Sequence, residues 1–409
     1  MTVKILKKDN IRVEDFDPKK IERALDLACD RAKVHLVQKD YAYVQNYVEQ
    51  HIQGFVVVPV DKIHSLVIDA IKEVNEEVAK SYTDYRGYKQ RFNKTFGKIL
   101  DDETKLLSLG DKENANKNSE LISTKKELTS GIVSKHMFLD YEIPPEYSKA
   151  HKEGDIHNHD ATDEIFGSIN CCLFDMKNVL KDGYTLNGIE NTEPNHLETA
   201  LDSISDIILS ASSQQFGGFT VPEIDNVMAK YAEKGYNEYL EKFEHMSCAY
   251  ASREKYEEWV RQFVIGILEH AFENKFDHRL NTINNSNGQT SFTTISFGLD
   301  TSEWGREVSK AILRARLKGL GVRKISAIFP KLVFLHRAEI NGNPDSPNYD
   351  IKDLAVSCSM LRMYPDWLSL DYGYLGEMYD KYGLAISPMG RQYTTAHVKP
   401  RELTNVRCA

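Results

Sequence analysis

Apolar residues recur at helical spacing through most of the first 95 residues. Ile21, Leu25 and Ala28 predict a helix over Lys19–Ala32, entered by Asp17 as N-cap and Pro18 at the first helical position. The same period predicts helices over Tyr41–Gln53, Asp61–Val74 and about Val78–Phe92. Ahead of them, Val3–Leu6 and Ile11–Val13 read as short strands joined by the turn Lys7-Lys8-Asp9-Asn10. Residues 1–95 are therefore expected to form a small β-plus-helices domain. Over 96–118 the pattern gives way to a polar, charged stretch that reads as a linker. From 119 to 390 long helical patterns (Ala200–Ala211, Lys242–Phe272, Ser302–Leu320) alternate with short β-branched or apolar runs (Ser291–Phe297, Ile325–Leu335). Strands spaced by long helices predict an α/β sheet or barrel. Residues 391–409 show no periodicity and are expected to be an unstructured tail.

Composition narrows the class. Of 409 residues, 52 are Lys or Arg and 61 are Asp or Glu, a net charge of −9 that argues against a general nucleic-acid coat but leaves room for a local basic pocket. No apolar run is long enough to span a membrane, and the first residues lack the apolar core of a secretory signal, so a cytoplasmic protein is expected. The six cysteines (29, 171, 172, 248, 358 and 408) contain no C-x-x-C pair, which speaks for free thiols and against a zinc ribbon.

Three groups of residues could carry chemistry. Lys7 and Lys8 at a turn, with Lys20 in the first turn of a helix, set cations beside free backbone N–H groups, a combination that favours polyphosphate. By charge alone, a solvated surface turn accounts for them as well. His157 and His159, two residues apart in Gly154-Asp155-Ile156-His157-Asn158-His159-Asp160, would share one face of a strand, as half a metal site, a polar pocket or a structural pair. No further metal ligands stand at a recognisable spacing. Cys171 lies on a β-like run, Ile169–Asp175, where a small buried apolar residue is the ordinary alternative.

Residues 3–92 resemble an ATP-cone, the nucleotide-sensing domain at the front of many ribonucleotide reductases. The resemblance rests on Lys7-Lys8-Asp9-Asn10, Phe16-Asp17-Pro18-Lys19-Lys20-Ile21, Ile63-His64, and Tyr82 with Tyr85-Arg86, in the family's order. It implies that Lys7, Lys8, Lys20 and His64 contact an effector, ATP or dATP. Residues from about 113 to 390 resemble the large chain of class III, anaerobic ribonucleoside-triphosphate reductase. The matching segments include Glu113-Asn114-Ala115-Asn116-Lys117-Asn118-Ser119, Gly131-Ile132-Val133-Ser134-Lys135-His136 and Asn170-Cys171-Cys172-Leu173. Ser213-Gln214-Gln215-Phe216-Gly217-Gly218, Ser286-Asn287-Gly288-Gln289-Thr290, Ile328-Phe329-Pro330-Lys331-Leu332 and Ser387-Pro388-Met389-Gly390 continue the series.

The resemblance implies an α/β fold: a small β-plus-helices ATP-cone followed by the first half of a ten-stranded α/β barrel. It implies reduction of ribonucleoside triphosphates by thiyl radical chemistry with formate as reductant. Cys171 would be the cysteine that assists reduction, and His157 and His159 would lie in the substrate pocket. A homodimer and a radical S-adenosylmethionine activase are the implied partners. One departure stands out: where the family has the thiyl cysteine after Ser-Pro-Met-Gly, this chain has Arg391. The motif resemblance stops at Gly390, and the glycyl radical and zinc are expected only in a C-terminal part that this sequence lacks. An interrupted gene is the expected cause, with no catalysis by this chain alone. The alternative is a non-catalytic nucleotide-binding modulator of a full-length reductase.

Overall fold

The computed structural model describes residues 3–7, 11–111, 117–168, 171–215, 217–250, 252–383 and 385. Lys8, Asn170, Gly390, Arg391 and Cys408 lie outside the described residues. Contacts divide the chain into two units, Met1–Asp102 and Glu103–Ala409.

In the first unit, β1 (Lys4–Leu6) pairs antiparallel with β2 (Val13–Asp15). It pairs parallel with β3 (Val57–Pro59), giving the order β2-β1-β3. The second strand sits later than the predicted Ile11–Val13, because Lys7 N–H donates to Arg12 O and Ile11 is 82% exposed, so the turn takes both residues. Helix α1 spans Lys19–Ala32 as its period predicts, and Asp17 Oδ1 accepts the Lys19 N–H at 3.0 Å, which is N-capping with Pro18 inside the first turn. Helices α2 (Gln38–Ile52) and α3 (Val60–Val74) close over it. Leu25, Val44, Val48, Val67 and Ile71 form the core, each at most 1% exposed. Helix α4 begins at Glu76, where Asn75 Oδ1 accepts the Val78 N–H, and continues to Leu109 through residues read as linker. Nothing in 93–109 stops a helix: there is no Pro, and Gly97 is the single strongly unfavourable residue.

The second unit opens with α5 (Ile122–Met137) and α6 (Pro145–Glu153), the latter ended by Gly154 in the left-handed conformation. It then builds a sheet of β4 (Cys172–Leu173), β7 (Phe219–Val221), β8 (Thr293–Phe297), β9 (Lys331–His336) and β10 (Asp366–Ser369). The intervening β5 (Tyr184–Leu186) and β6 (Ile189–Asn191) form a separate hairpin. Helices α7 (Met176–Asp182) and α8 (Leu197–Ala211) connect β4 to β7. Between β7 and β8 come α9 (Ile224–Lys242), α10 (Arg253–Ala271) and α11 (His278–Thr282). Then α12 (Glu303–Lys318) leads to β9, α13 (Tyr349–Arg362) to β10, and α14 (Gly373–Tyr382) follows. All neighbouring strands are parallel and their spatial order is their chain order. A doubly wound sheet reverses direction at a switch point, whereas this one advances in one direction, as half of a barrel does. Five strands are what the first half of a ten-stranded barrel supplies.

Alternation along the strands separates two faces. Cys172, Phe219, Val221, Ile295, Phe297, Leu332 and Phe334 join the large core beneath the helices. Thr220, Thr294 and Ser296, all fully buried, alternate with them and so turn to the other face. Two predictions fail here. The predicted helix Lys242–Phe272 is two elements, broken by a 3₁₀ segment, Glu244–Ala249, and restarted where Ser252 caps the Lys255 N–H. His157 and His159 lie on no strand: they follow the Gly154 cap of α6 in a loop. Among the described residues no helix is long and apolar enough to cross a membrane.

Candidate functional sites

In the first unit, β1, β2, α1, α3 and α4 enclose two cavities. The larger, about 520 Å³, is lined by Lys7, Arg12, Arg31, His64, Arg86 and Lys89 together with Tyr82 and Tyr85. The smaller, about 220 Å³, is lined by Lys7, Glu14, Asp17, Lys20 and His64 over an apolar floor that includes Ile21 and Val67. Lys7 and His64 belong to both, so the structure brings together Lys7, Lys20 and His64 of the residues singled out from sequence. Lys8 lies outside the described residues. His64 Nδ1 is 2.8 Å from the Tyr82 hydroxyl, whose burial pushes it up to about 12 and keeps it protonated. Arg86 is held by Asp61 at 2.7 Å, and its Nε is buried without a partner. The Arg31 guanidinium sits 4.2 Å from the Tyr85 ring centroid. Sequence reasoning did not nominate Arg12, Arg31, Arg86 or Lys89. A signal for two of them existed, since Tyr82, Arg86, Lys89 and Asn93 recur at three- and four-residue steps and so share one face of α4. A cation-lined cavity with aromatic walls suits a polyphosphate attached to a ring.

In the second unit a polar cavity of about 490 Å³ lies among Glu127, Ser130 and Gly131 of α5, the segment Thr162–Ser168, Ser213–Gln215 after α8, and Asn287. Local hydrogen bonds shape it. Asn285 Oδ1 accepts the N–H groups of Asn287 and Gln289, and Ser213 Oγ accepts the Ser286 N–H at 3.0 Å. The Thr124 hydroxyl donates to Gly288 O at 2.8 Å. Glu127 is neutralised by Lys117 at 2.7 Å, and Asp163 accepts from the hydroxyls of Thr162 and Ser168. Among the described residues no Lys or Arg lines this cavity, so its chemistry suits hydroxyls and amides rather than phosphate.

Cys171, 7% exposed, precedes β4 and its Sγ accepts the Gly218 N–H at 3.3 Å. Cys172 belongs to the helix-side core and Cys171 does not. His157 and His159 are exposed, their ring centroids 6.1 Å apart, with His151 5.6 Å from His157. His159 pairs with Asp160. Neither His157 nor His159 lines the polar cavity. Among the described residues no group of three or more His, Cys, Asp or Glu is placed to hold a metal ion. At the C-terminal end of β7, burial and the neighbouring Asp225 push Glu223 up to about 7, and burial pushes Asp225 itself to about 6.

The sequence profile of anaerobic ribonucleoside-triphosphate reductase matches residues 113–404. The chain belongs to that family. An ATP cone domain profile matches residues 3–91, the unit that holds the two cationic cavities. The anaerobic ribonucleoside-triphosphate reductase of Escherichia coli (strain K12) is 34% identical over 380 residues, covering 91% of this chain and 52% of the relative. That of Enterobacteria phage T4 is 38% identical over 261 residues, covering 63% of this chain and 42% of the relative. The chain spans about half the length of the curated relatives it matches. The crystal structure of the anaerobic ribonucleotide reductase from Thermotoga maritima in complex with dATP and CTP covers 68% of this chain and 50% of its own. It is 14% identical, with a TM-score of 0.45. The anaerobic reductase match runs on to residue 404, past Gly390 where the individual motifs end.

Proposed function

We propose that this chain is the nucleotide-regulated N-terminal part of an anaerobic ribonucleoside-triphosphate reductase, acting in the cytoplasm. The observation that carries the reading is the family match over 113–404 behind an ATP cone at 3–91. In this reading ATP or dATP binds the cation-lined cavities of the first unit, with Lys7, Lys20, His64 and Arg86 in contact, and the family resemblance adds Lys8 to the effector contacts. The ribose of a ribonucleoside triphosphate enters the polar cavity of the second unit, whose hydroxyls and amides match sugar hydroxyls. Cys171 is the thiol that assists reduction of the 2′ position; its separation from the helix-side core supports choosing it over Cys172. His157 and His159 remain candidates for substrate contact from the exposed loop after α6. In the intact enzyme a cysteine thiyl radical, generated through a glycyl radical in the C-terminal part, would abstract hydrogen from the 3′ carbon, formate would be the terminal reductant, and a radical S-adenosylmethionine activase and a second copy would be the partners. Among the described residues no group fits the family's zinc.

Arg391, at the family's cysteine position, favours a second reading: a non-catalytic nucleotide binder that modulates a complete reductase. Anaerobic turnover of CTP with activase, S-adenosylmethionine, formate and ATP separates the two. It is run on the 409-residue chain and on this chain through Gly390 joined to the remaining half of the E. coli relative. The reductase reading predicts dCTP only from the joined chain, and none from its Cys171→Ala variant. No turnover by the joined chain, or turnover unaffected by Cys171→Ala, overturns it.

A further inference from the structure

The two cavities of the first unit differ in one respect that the cationic residues alone do not explain. Lys7 Nζ and Lys20 Nζ both approach a single oxygen, Glu14 Oε2, at 2.9 and 2.7 Å. Lys7 follows β1, Glu14 lies on β2 opposite Ile5, and Lys20 is in the first turn of α1, so three separate elements converge on one carboxylate. Two ammonium groups sharing one anionic oxygen is the arrangement a phosphate oxygen would adopt between the same lysines. Of the other carboxylates lining the smaller cavity, Asp17 is engaged with the Lys19 N–H at the helix cap. The lysines, Lys20 foremost, hold the Glu14 carboxyl down to about 2, so it is charged at neutral pH.

Building on the proposal that this unit binds nucleotide, we propose that Glu14 is an intramolecular stand-in for a phosphate group. It holds Lys7 and Lys20 while the site is empty and must surrender them when a polyphosphate arrives. Lys7 also lines the larger cavity with Arg12, Arg31, Arg86 and Lys89, so it is the cation that passes from Glu14 to the ligand. A triphosphate, with several negative charges, displaces a single exposed carboxylate, but each binding event carries the cost of breaking two ion pairs. Glu14 therefore holds affinity down for phosphate-bearing effectors and leaves binding of the nucleoside portion untouched. The device sets the concentration range over which the cone responds.

The test is calorimetric titration of the whole chain and its Glu14→Gln variant with ATP, ADP and adenosine. Glutamine keeps the shape and removes the charge. The expected result is ATP and ADP binding tighter by about fivefold, the scale of one to two exposed ion pairs, with adenosine unchanged. In a Lys7→Gln/Lys20→Gln background the same Glu14→Gln change gives no gain, because the lysines it frees are absent. Thermal unfolding without nucleotide checks that Glu14→Gln is folded. Unchanged or weaker ATP binding by the folded variant overturns the proposal and makes Glu14 a bystander or a ligand. A gain that includes adenosine assigns it to a change of cavity shape and overturns the proposal too. Failure of the cone reading looks different: wild-type protein then gives no heat with ATP at all.

Discussion

Removing Asp277 removes the partner of the most deeply buried cation in the second unit. Arg316 on α12 is fully buried, and its Nε faces Asp277 Oδ2 at 3.3 Å, with the Asp277 side chain 7% exposed. One more donor is satisfied, Nη2 to Pro330 O at 2.7 Å, but Nη1 has no partner. The guanidinium also lies 5.7 Å from the Tyr364 ring centroid. Burial raises the Asp277 carboxyl while Arg316 pulls it down, so the pair is held at the expense of desolvating both charges. Asp277→Ala leaves a guanidinium with no counter-charge in a site that water does not reach, and breaking a buried pair from one side costs about 3–5 kcal/mol. Replacing both ends with apolar side chains removes the desolvation penalty with the attraction, so Asp277→Leu/Arg316→Met should lie within about 1 kcal/mol of wild type. Urea unfolding followed by tryptophan fluorescence isolates the effect, because Trp259, Trp304 and Trp367 are the chain's only tryptophans and all belong to the second unit. A loss below about 1 kcal/mol for Asp277→Ala, or a double variant less stable than the single one, refutes this account of the pair.

Arg86→Gln removes a cation of the larger cavity and should weaken ATP binding about tenfold by calorimetry, the scale of one charge-assisted hydrogen bond; unchanged affinity would place the phosphates elsewhere. Glu223 is pushed up to about 7 in the folded state from an ordinary value near 4.5, so the folded state binds its proton more tightly than the unfolded one. Its contribution to stability is full below about pH 4.5 and is lost as pH rises through about 7. Urea midpoints at pH 5 and pH 7.5 should therefore differ less in Glu223→Gln than in wild type, and an equal difference in both contradicts the assignment. Gly288 has φ +68°, and a Cβ there would stand 2.7 Å from Thr124 Cα, so Gly288→Ala must shift backbone and should cost about 1–3 kcal/mol in the same unfolding assay. A wild-type midpoint for that variant would show that the Thr124–Gly288 contact yields freely.

Legibility in the sequence followed amphipathicity. Helix α1 ran between its predicted ends because Ile21, Leu25, Ala28 and Cys29 are buried in one core while most of its charged residues face water. Strand β4 falls inside the β-like run read over Ile169–Asp175, whereas β7 went unread because three residues, Phe219-Thr220-Val221, are too few for a period-two pattern to stand out. The alternation in Ile156–His159 pointed the other way and misled: Gly154 ends α6 in a left-handed turn, and the histidines that follow are exposed rather than paired in a sheet. At the cone, Lys7, Lys20 and His64 were legible because they sit inside quotable motifs. Arg12 and Arg31 were not, since only folding brings a turn residue and the end of α1 to the same cavity. Glu14 drew no attention as one acid among 61, and its meaning comes from the convergence of two lysines on it.

The most direct test of the account is calorimetric titration of the intact 409-residue chain with ATP and then dATP. The account predicts saturable binding of ATP, competition by dATP at the same site, and marked weakening by Lys7→Gln. No heat with either nucleotide, or binding indifferent to Lys7→Gln, would contradict the claim that the first unit is the chain's nucleotide sensor.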